Sequence, residues 1–163
     1  MLTGLAHTAV CVPDVKAAVR WYTDVLGLRM LSPPYRMEGA ALERDMGELV
    51  PSPVVLMAAI VGFGKDDRVL ELIEYPAAHI PPPDNDRPSV TRSGITHVGM
   101  VCDDIDTTRA DLESKGVTFL TSAIAEVAGL RTTWCHDPWG TVIILMEKRR
   151  DGLPYWGQLL TEA

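Results

Sequence analysis

Ala6-His7-Thr8-Ala9-Val10-Cys11-Val12-Pro13-Asp14-Val15 aligns without a gap on Thr96-His97-Val98-Gly99-Met100-Val101-Cys102-Asp103-Asp104-Ile105. Histidine falls on histidine, Asp14 falls on Asp104, and the apolar positions correspond. Each stretch alternates like a strand and then runs into a helical pattern. The first helix is expected over Asp14 to Leu26, with Val15, Ala18, Val19, Tyr22 and Leu26 on one face. The second is expected over Asp104 to Lys115, with Ile105, Thr108 and Leu112 on the matching face. Asp14 and Asp104 suit helix N-caps, because a short carboxylate accepts from the free amides of the first turn. Gly27 and Gly116 suit the stops.

Outward from these openings, the two halves stay parallel. Leu28 to Leu31 and Val117 to Leu120 follow the glycines as apolar segments. Val69-Leu70-Glu71-Leu72-Ile73-Glu74-Tyr75 matches Val142-Ile143-Ile144-Leu145-Met146-Glu147-Lys148 at the far ends. Each half therefore reads as strand, helix and about three strands, a duplicated unit within one chain. The organisation expected is a first module over 1–75, a proline-rich linker over 76–93, a second module over 94–148 and a tail over 149–163. Residues 39–53 have no counterpart in the second half, and Ala40 to Leu49 is expected to form a short extra helix before a strand over Val54 to Val61. Pro81-Pro82-Pro83 can continue neither strand nor helix, so the linker is extended. Asp137-Pro138-Trp139-Gly140 reads as a tight turn into the last strand. The tail carries Arg149, Arg150, Tyr155 and Trp156, which suit the covering of an edge or a partner subunit as well as they suit chance.

With 163 residues and 47% hydrophobic composition, the chain has apolar matter for a core. Fifteen basic residues stand against 22 acidic ones, a net charge of −7, and no cluster of positive charge suits a phosphate backbone or an anionic membrane. Nucleic acid and membrane are therefore not expected partners. No apolar run reaches the roughly 20 residues that span a bilayer, and Met1 to His7 lacks the pattern of a signal peptide. Cys11, Cys102 and Cys135 are odd in number and form no Cys-x-x-Cys pair, which fits a reduced, cytoplasmic setting.

Strand alternation puts His7, Ala9 and Cys11 on one face and His97, Gly99 and Val101 on its counterpart. In the closing strands that face carries Val69, Glu71 and Ile73, and Val142, Ile144 and Met146. A single strand histidine is usually a hydrogen-bonded core or edge residue. Two at the same place in a repeat are different, because buried polar groups need partners and two imidazoles can share one cation. Glu71, flanked by apolar neighbours, would supply the balancing negative charge. The small neighbours Ala9 and Gly99 are expected to leave space for a pocket. Glu74 and Glu147 lie on the opposite face and read as exposed helix-side or rim residues that pair with Lys or Arg. For proton transfer the candidates are Glu38 and Glu43, in or beside the insert, and His136, with Cys135 next to it near a strand end; each also suits an ordinary surface or core role.

Taken together, the paired openings at His7 and His97, Trp21-Tyr22 followed by Val25-Leu26-Gly27-Leu28, the Glu71-Leu72 strand and the Asp137-Pro138-Trp139-Gly140 turn resemble the vicinal oxygen chelate superfamily. Glyoxalase I, methylmalonyl-CoA epimerase, extradiol dioxygenases and the fosfomycin- and bleomycin-resistance proteins belong to it. The resemblance covers about residues 3–148. It implies an α+β fold of two tandem βαβββ modules curled into a half-barrel around a divalent metal. The implied ligand positions are His7, Glu71, His97 and Ile144. Ile144 departs from the pattern, since family enzymes usually carry a glutamate there and an alkyl group cannot coordinate. Two histidines and one carboxylate still suit Fe, Mn, Co, Ni or Zn.

Three functions follow from the resemblance. One is a metal-assisted isomerase, epimerase or lyase acting on a small oxygenated metabolite through an enolate-type intermediate. A second is an Fe(II)-dependent ring-cleaving dioxygenase. The third, favoured by Ile144, is a metal-free protein that binds a small molecule, as resistance proteins do. Paired modules of this kind also imply a homodimer.

Overall fold

Strand β1 (His7–Cys11) leads through Val12 and Pro13 into helix α1 (Val15–Asp24). Then follow β2 (Arg29–Glu38), α2 (Ala40–Met46), β3 (Val55–Gly62) and β4 (Val69–Glu74). The second series is β5 (Val98–Cys102), α3 (Ile105–Ser114), β6 (Ala125–Val127), β7 (Leu130–His136) and β8 (Val142–Glu147). This is a computed structural model, and it describes residues 1, 3–65, 68–78, 90–91 and 93–148. Most of the linker, Pro81 to Pro83 included, and the whole tail over 149–163 lie outside the described residues.

The chain divides into two units, Met1–Pro82 and Pro83–Ala163. Each holds one four-stranded mixed sheet, ordered β1-β4-β3-β2 in the first and β5-β8-β7-β6 in the second. The outer pairs β1/β4 and β5/β8 are parallel, and the remaining pairs are antiparallel. The architecture is therefore α+β, two tandem βαβββ modules, with α2 as the extra helix of the first. A parallel pair needs a crossover, and α1 and α3 begin the two crossovers.

The same local chemistry starts and stops both long helices. Asp14 accepts from the Ala17 amide at 2.9 Å, and Asp104 accepts from the Thr107 amide at 2.7 Å. Gly27 and Gly116 follow with φ of 73° and 84°, in the left-handed region where a Cβ is costly. Glu74 and Glu147, expected at an exposed rim, instead reach back across the fold. Glu74 Oε2 accepts from the Val15 amide at 2.9 Å, and Glu147 Oε2 accepts from the Ile105 amide at 3.0 Å. Both carboxylates are half-buried, where a negative charge answers the free amides and positive end of a helix. Glu147 also takes the expected basic partner, Arg131, at 2.9 Å.

On the helix side of each sheet lies the core. Helix α1 buries Val15, Ala18, Val19 and Tyr22 on the face of its sheet that carries Val10, Leu70, Leu72, Ala59 and Val61. Helix α3 buries Ile105 and Leu112, and Ile143 and Leu145 are buried in its sheet. Each large side chain fully withdrawn from water contributes roughly 1.5–3 kcal/mol. No helix among the described residues is long and apolar enough to cross a membrane.

Three segments differ from the sequence reading. Strand β2 runs on to Glu38, past Pro33 and Pro34. It is an edge strand, and its register slips between Met30 and Ser32 and again between Ser32 and Tyr35, which accommodates residues that cannot donate to a ladder. Val117 to Leu120 makes only an isolated bridge, Phe119 with Cys135. There Thr121 Oγ1 accepts the Trp134 amide at 3.2 Å, a side chain standing in for a strand carbonyl, and the edge strand becomes the three-residue β6. The insert helix ends at Met46, short of Leu49, because Gly47 follows as its C-cap.

Candidate metal and ligand site

Parallel pairing of β1 with β4 sets Ala9 beside Glu71 and His7 beside Val69. Residues paired directly across strands share a face, so His7, Glu71 and Cys11 all stand on the side of the sheet away from α1. His7 Nε2 lies 3.1 Å from Glu71 Oε2. The histidine side chain is 46% exposed and the glutamate 15%, so the carboxylate is sheltered while the imidazole stays open to an incoming ligand. Ile60 lies across from Glu71 on β3. Tyr75, two residues beyond Ile73, belongs to the same neighbourhood. Partial burial pushes its phenol above the ordinary tyrosine range, and the nearby Cys11 and Glu71 add to the shift. It therefore stands as a neutral hydroxyl able to donate.

In the second unit the duplicated register holds. Gly99 pairs with Ile144 as Ala9 pairs with Glu71. Ile144 thus occupies the structural place of Glu71, and in turn pairs with Trp134 on β7. His97 stands one residue ahead of β5. Its Nδ1 is 2.8 Å from Thr96 Oγ1, and its ring meets Trp134 edge-on, with centroids 5.0 Å apart and planes at 76°. The space expected beside Gly99 is taken up: a Cβ there would come within 3.0 Å of Met146 Cε. The missing side chain makes room for a methionine rather than for a pocket.

The candidates for proton transfer separate clearly. Glu38 is exposed and pairs with Arg36 at 2.8 Å, and that hydrogen bond and charge hold its carboxyl below the usual range. Glu43 commits both oxygens to the insert, accepting from Ser52 Oγ at 2.7 Å and from the Val54 amide at 2.6 Å. These bonds also hold its carboxyl below the ordinary glutamate range. His136 Nδ1 lies 2.7 Å from the Asp137 carbonyl. A carbonyl only accepts, so Nδ1 carries the proton and Nε2 is the nitrogen able to take one up. Cys135, beside it, is fully buried, and burial pushes its thiol up to about 12. It therefore has little thiolate to offer as a nucleophile at neutral pH.

The Glu43 geometry has a measurable consequence. A carboxylate stabilised in the folded chain contributes most above the unfolded value of about 4.3 and loses its contribution as pH falls through the lower folded value. Wild type is expected to resist urea better than Glu43→Ala at pH 7, with the gap closing on acidification below that range. A gap that is independent of pH would show that the carboxylate charge is not what holds the insert.

Among the described residues, no group of three or more His, Cys, Asp and Glu side chains is gathered within either unit. One pair of metal-type donors is gathered. His7 and Glu71 offer an imidazole nitrogen and a carboxylate oxygen 3.1 Å apart, the ligand types that zinc and the later first-row metals accept.

A model of the Glyoxalase/Bleomycin resistance protein/Dioxygenase superfamily matches residues 4–145. The chain belongs to that superfamily. It is 28% identical over 147 residues to the uncharacterized protein YaeR of Escherichia coli (strain K12), a match spanning 90% of this chain and 98% of the relative. A glyoxalase family protein from Bacillus cereus shares the fold with a TM-score of 0.74 at 18% identity, over 90% of this chain and 95% of that one. The trypanothione-dependent glyoxalase I of Leishmania major does so with a TM-score of 0.60 at 19% identity, over 90% and 87%.

Within this superfamily frame, sequence reasoning did not reach Thr96, Trp134 and Tyr75. Thr96 was readable in principle, since it sits next to His97 where the first repeat has Ala6. Trp134 was not, because only the pairing of β7 with β8 brings it onto the histidine side.

Proposed function

We propose that the chain is a metal-assisted isomerase, epimerase or lyase acting on a small oxygenated metabolite, with His7, Glu71 and His97 as the ligands of one divalent metal. The observation that carries this reading is the sheltered Glu71 carboxylate set 3.1 Å from His7 Nε2 on one sheet face. A solvated strand glutamate has no need of that shelter, and a structural one would satisfy a backbone amide, as Glu74 and Glu147 do. When bound, the metal supplies Lewis-acid stabilisation of negative charge developing on a substrate oxygen. The chain's own part is to hold and to protonate. Tyr75, neutral and beside Glu71, donates a hydrogen bond to an oxygenated ligand. His136, with Nδ1 fixed by the Asp137 carbonyl, takes up and returns a proton at Nε2. The three cysteines are free thiols, in keeping with a reducing, cytoplasmic setting, and a homodimer is part of the same proposal.

Ile144 favours a second reading, a metal-free protein that binds its small molecule without turning it over. Metal analysis of protein purified without chelator separates the two. Close to one transition metal per chain is expected, retained through dialysis, as three protein donors with open positions would give. Protein that emerges metal-free and takes up none of Zn(II), Ni(II), Co(II), Mn(II) or Fe(II) would establish the second reading instead.

A further inference from the structure

We infer that Tyr35 is a specificity-determining residue, and that the first sheet takes a two-ended ligand. One polar end meets His7 and Glu71, an apolar middle crosses Ile60 and Ile73, and a second polar end bonds the Tyr35 hydroxyl. The inference rests on the preceding reading only for the place of the first end. Antiparallel pairing runs from Glu71 to Ile60, and from Ile73 through Ala58 to Tyr35. Residues paired in this way share a face, so Tyr35 stands on the side of the sheet that carries Glu71. The next residue fixes the direction independently. Arg36 lines a cavity with Val15, Met57 and Glu74 on the helix side, and strand alternation turns Tyr35 the other way. Tyr35 is 39% exposed, so its phenol is open to a ligand.

The two register slips of β2 bring the tyrosine to this place. Met30 pairs with Val61, and that register continued without a slip would set Tyr35 opposite Leu56. The slips set it opposite Ala58 instead, two residues and roughly 7 Å nearer to Ile60 along the strand. Bulges of this kind re-aim a side chain next to a site. Across the sheet, β2 lies two strand spacings from β4, roughly 10 Å. A ligand that touches Glu71 and Tyr35 together is therefore longer than a three-carbon compound. Between its ends lie Ile60 and Ile73, half-buried and without polar groups, and Ala58, too small to block the path. A phenol hydroxyl both donates and accepts, so a hydroxyl, amide or carbonyl suits the far end. The substrate class is thus an oxygenated compound with an apolar spacer and a second polar end.

The test is calorimetry with acetohydroxamate, hexanohydroxamate and 6-hydroxyhexanohydroxamate on wild type and Tyr35→Phe, each metal-free and after Co(II) loading, with Co(II) content measured alongside. The two longer probes differ only in a terminal hydroxyl. In wild type that hydroxyl is expected to tighten binding roughly 5-fold, the effect of about one neutral hydrogen bond. In Tyr35→Phe the two are expected to bind alike, with the affinity that wild type has for hexanohydroxamate, because the ring stays and only its oxygen is gone. The Tyr35 ring resonances of wild type are expected to shift with the hydroxylated probe and not with acetohydroxamate. A preference that survives in Tyr35→Phe, or that is absent from wild type, overturns the role of Tyr35 and leaves the reading of His7 and Glu71 standing. A Tyr35-dependent preference in protein that takes up no Co(II) upholds that role and overturns the metal-assisted reading. If none of the probes binds either form, both fall.

Discussion

Glu71→Ala is expected to weaken Co(II) or Zn(II) binding by more than about 100-fold while leaving the fold intact. The magnitude follows from a comparison. Removing a residue that merely orients a metal ligand costs 10–100-fold, so removing the only anionic ligand proposed here must cost more. Glu71 also neutralises part of the cation's charge in a sheltered setting, where that neutralisation is worth more than in bulk water. Stability should change little, because among the described residues the glutamate bonds no backbone group, and its strand neighbours Leu70 and Leu72 keep their burial. A urea titration alongside the metal titration checks this. The reciprocal change sharpens the argument. Ile144→Glu sets a carboxylate at the register place that Glu71 holds in the first sheet, and it is expected to tighten metal binding. Full metal content in Glu71→Ala would strike Glu71 from the ligand set and overturn the observation on which the functional reading rests.

The repeat was legible because its signals are local. Asp14 and Asp104 cap helices through amides three residues on, and Gly27 and Gly116 stop them through their own backbone, so a short window of sequence contains both cause and effect. Glu74 and Glu147 read from sequence as helix-side but exposed, since the amides they serve are 59 and 42 residues away in the chain. Pro33 and Pro34 argue against a strand until β2 is known to lie at an edge, and edge position is a property of the assembled sheet. Gly99 shows the same limit in the site. A small residue beside a histidine reads as open space, yet whether a long neighbour such as Met146 fills it depends on cross-strand register. The sharing of one sheet face by His7 and Glu71 is legible because strand alternation and duplication both point to it. The setting of His97 between Thr96 and Trp134 needed coordinates.

Asp137→Ala is expected to destabilise the second unit by roughly 2–5 kcal/mol, the largest loss of stability anticipated here for one side chain outside the apolar core. Asp137 is fully buried, and its Oδ1 accepts from the Trp139 amide at 2.9 Å and the Thr141 amide at 2.7 Å. Its own backbone closes the same turn, with the Asp137 amide donating to the Thr141 carbonyl at 3.0 Å and the Gly140 amide donating to the Asp137 carbonyl at 3.2 Å. Alanine keeps the backbone bonds but strands two amides without their acceptor. Hydrogen bonds to a charged group carry about 1.5–3 kcal/mol each, and a cavity adds to the loss. Asp137→Asn retains an acceptor oxygen and is expected to lose less than half as much. The turn also aims the site, because it joins β7 to β8 and so fixes the register that sets Trp134 beside Ile144. His136 Nδ1 bonds the carbonyl of Asp137 itself, so loosening the turn releases that ring as well. Urea unfolding of the three proteins, with the 15N shifts of His136 recorded at zero denaturant, tests both consequences. A stable Asp137→Ala protein with an unmoved His136 ring would show that backbone bonds alone hold this corner.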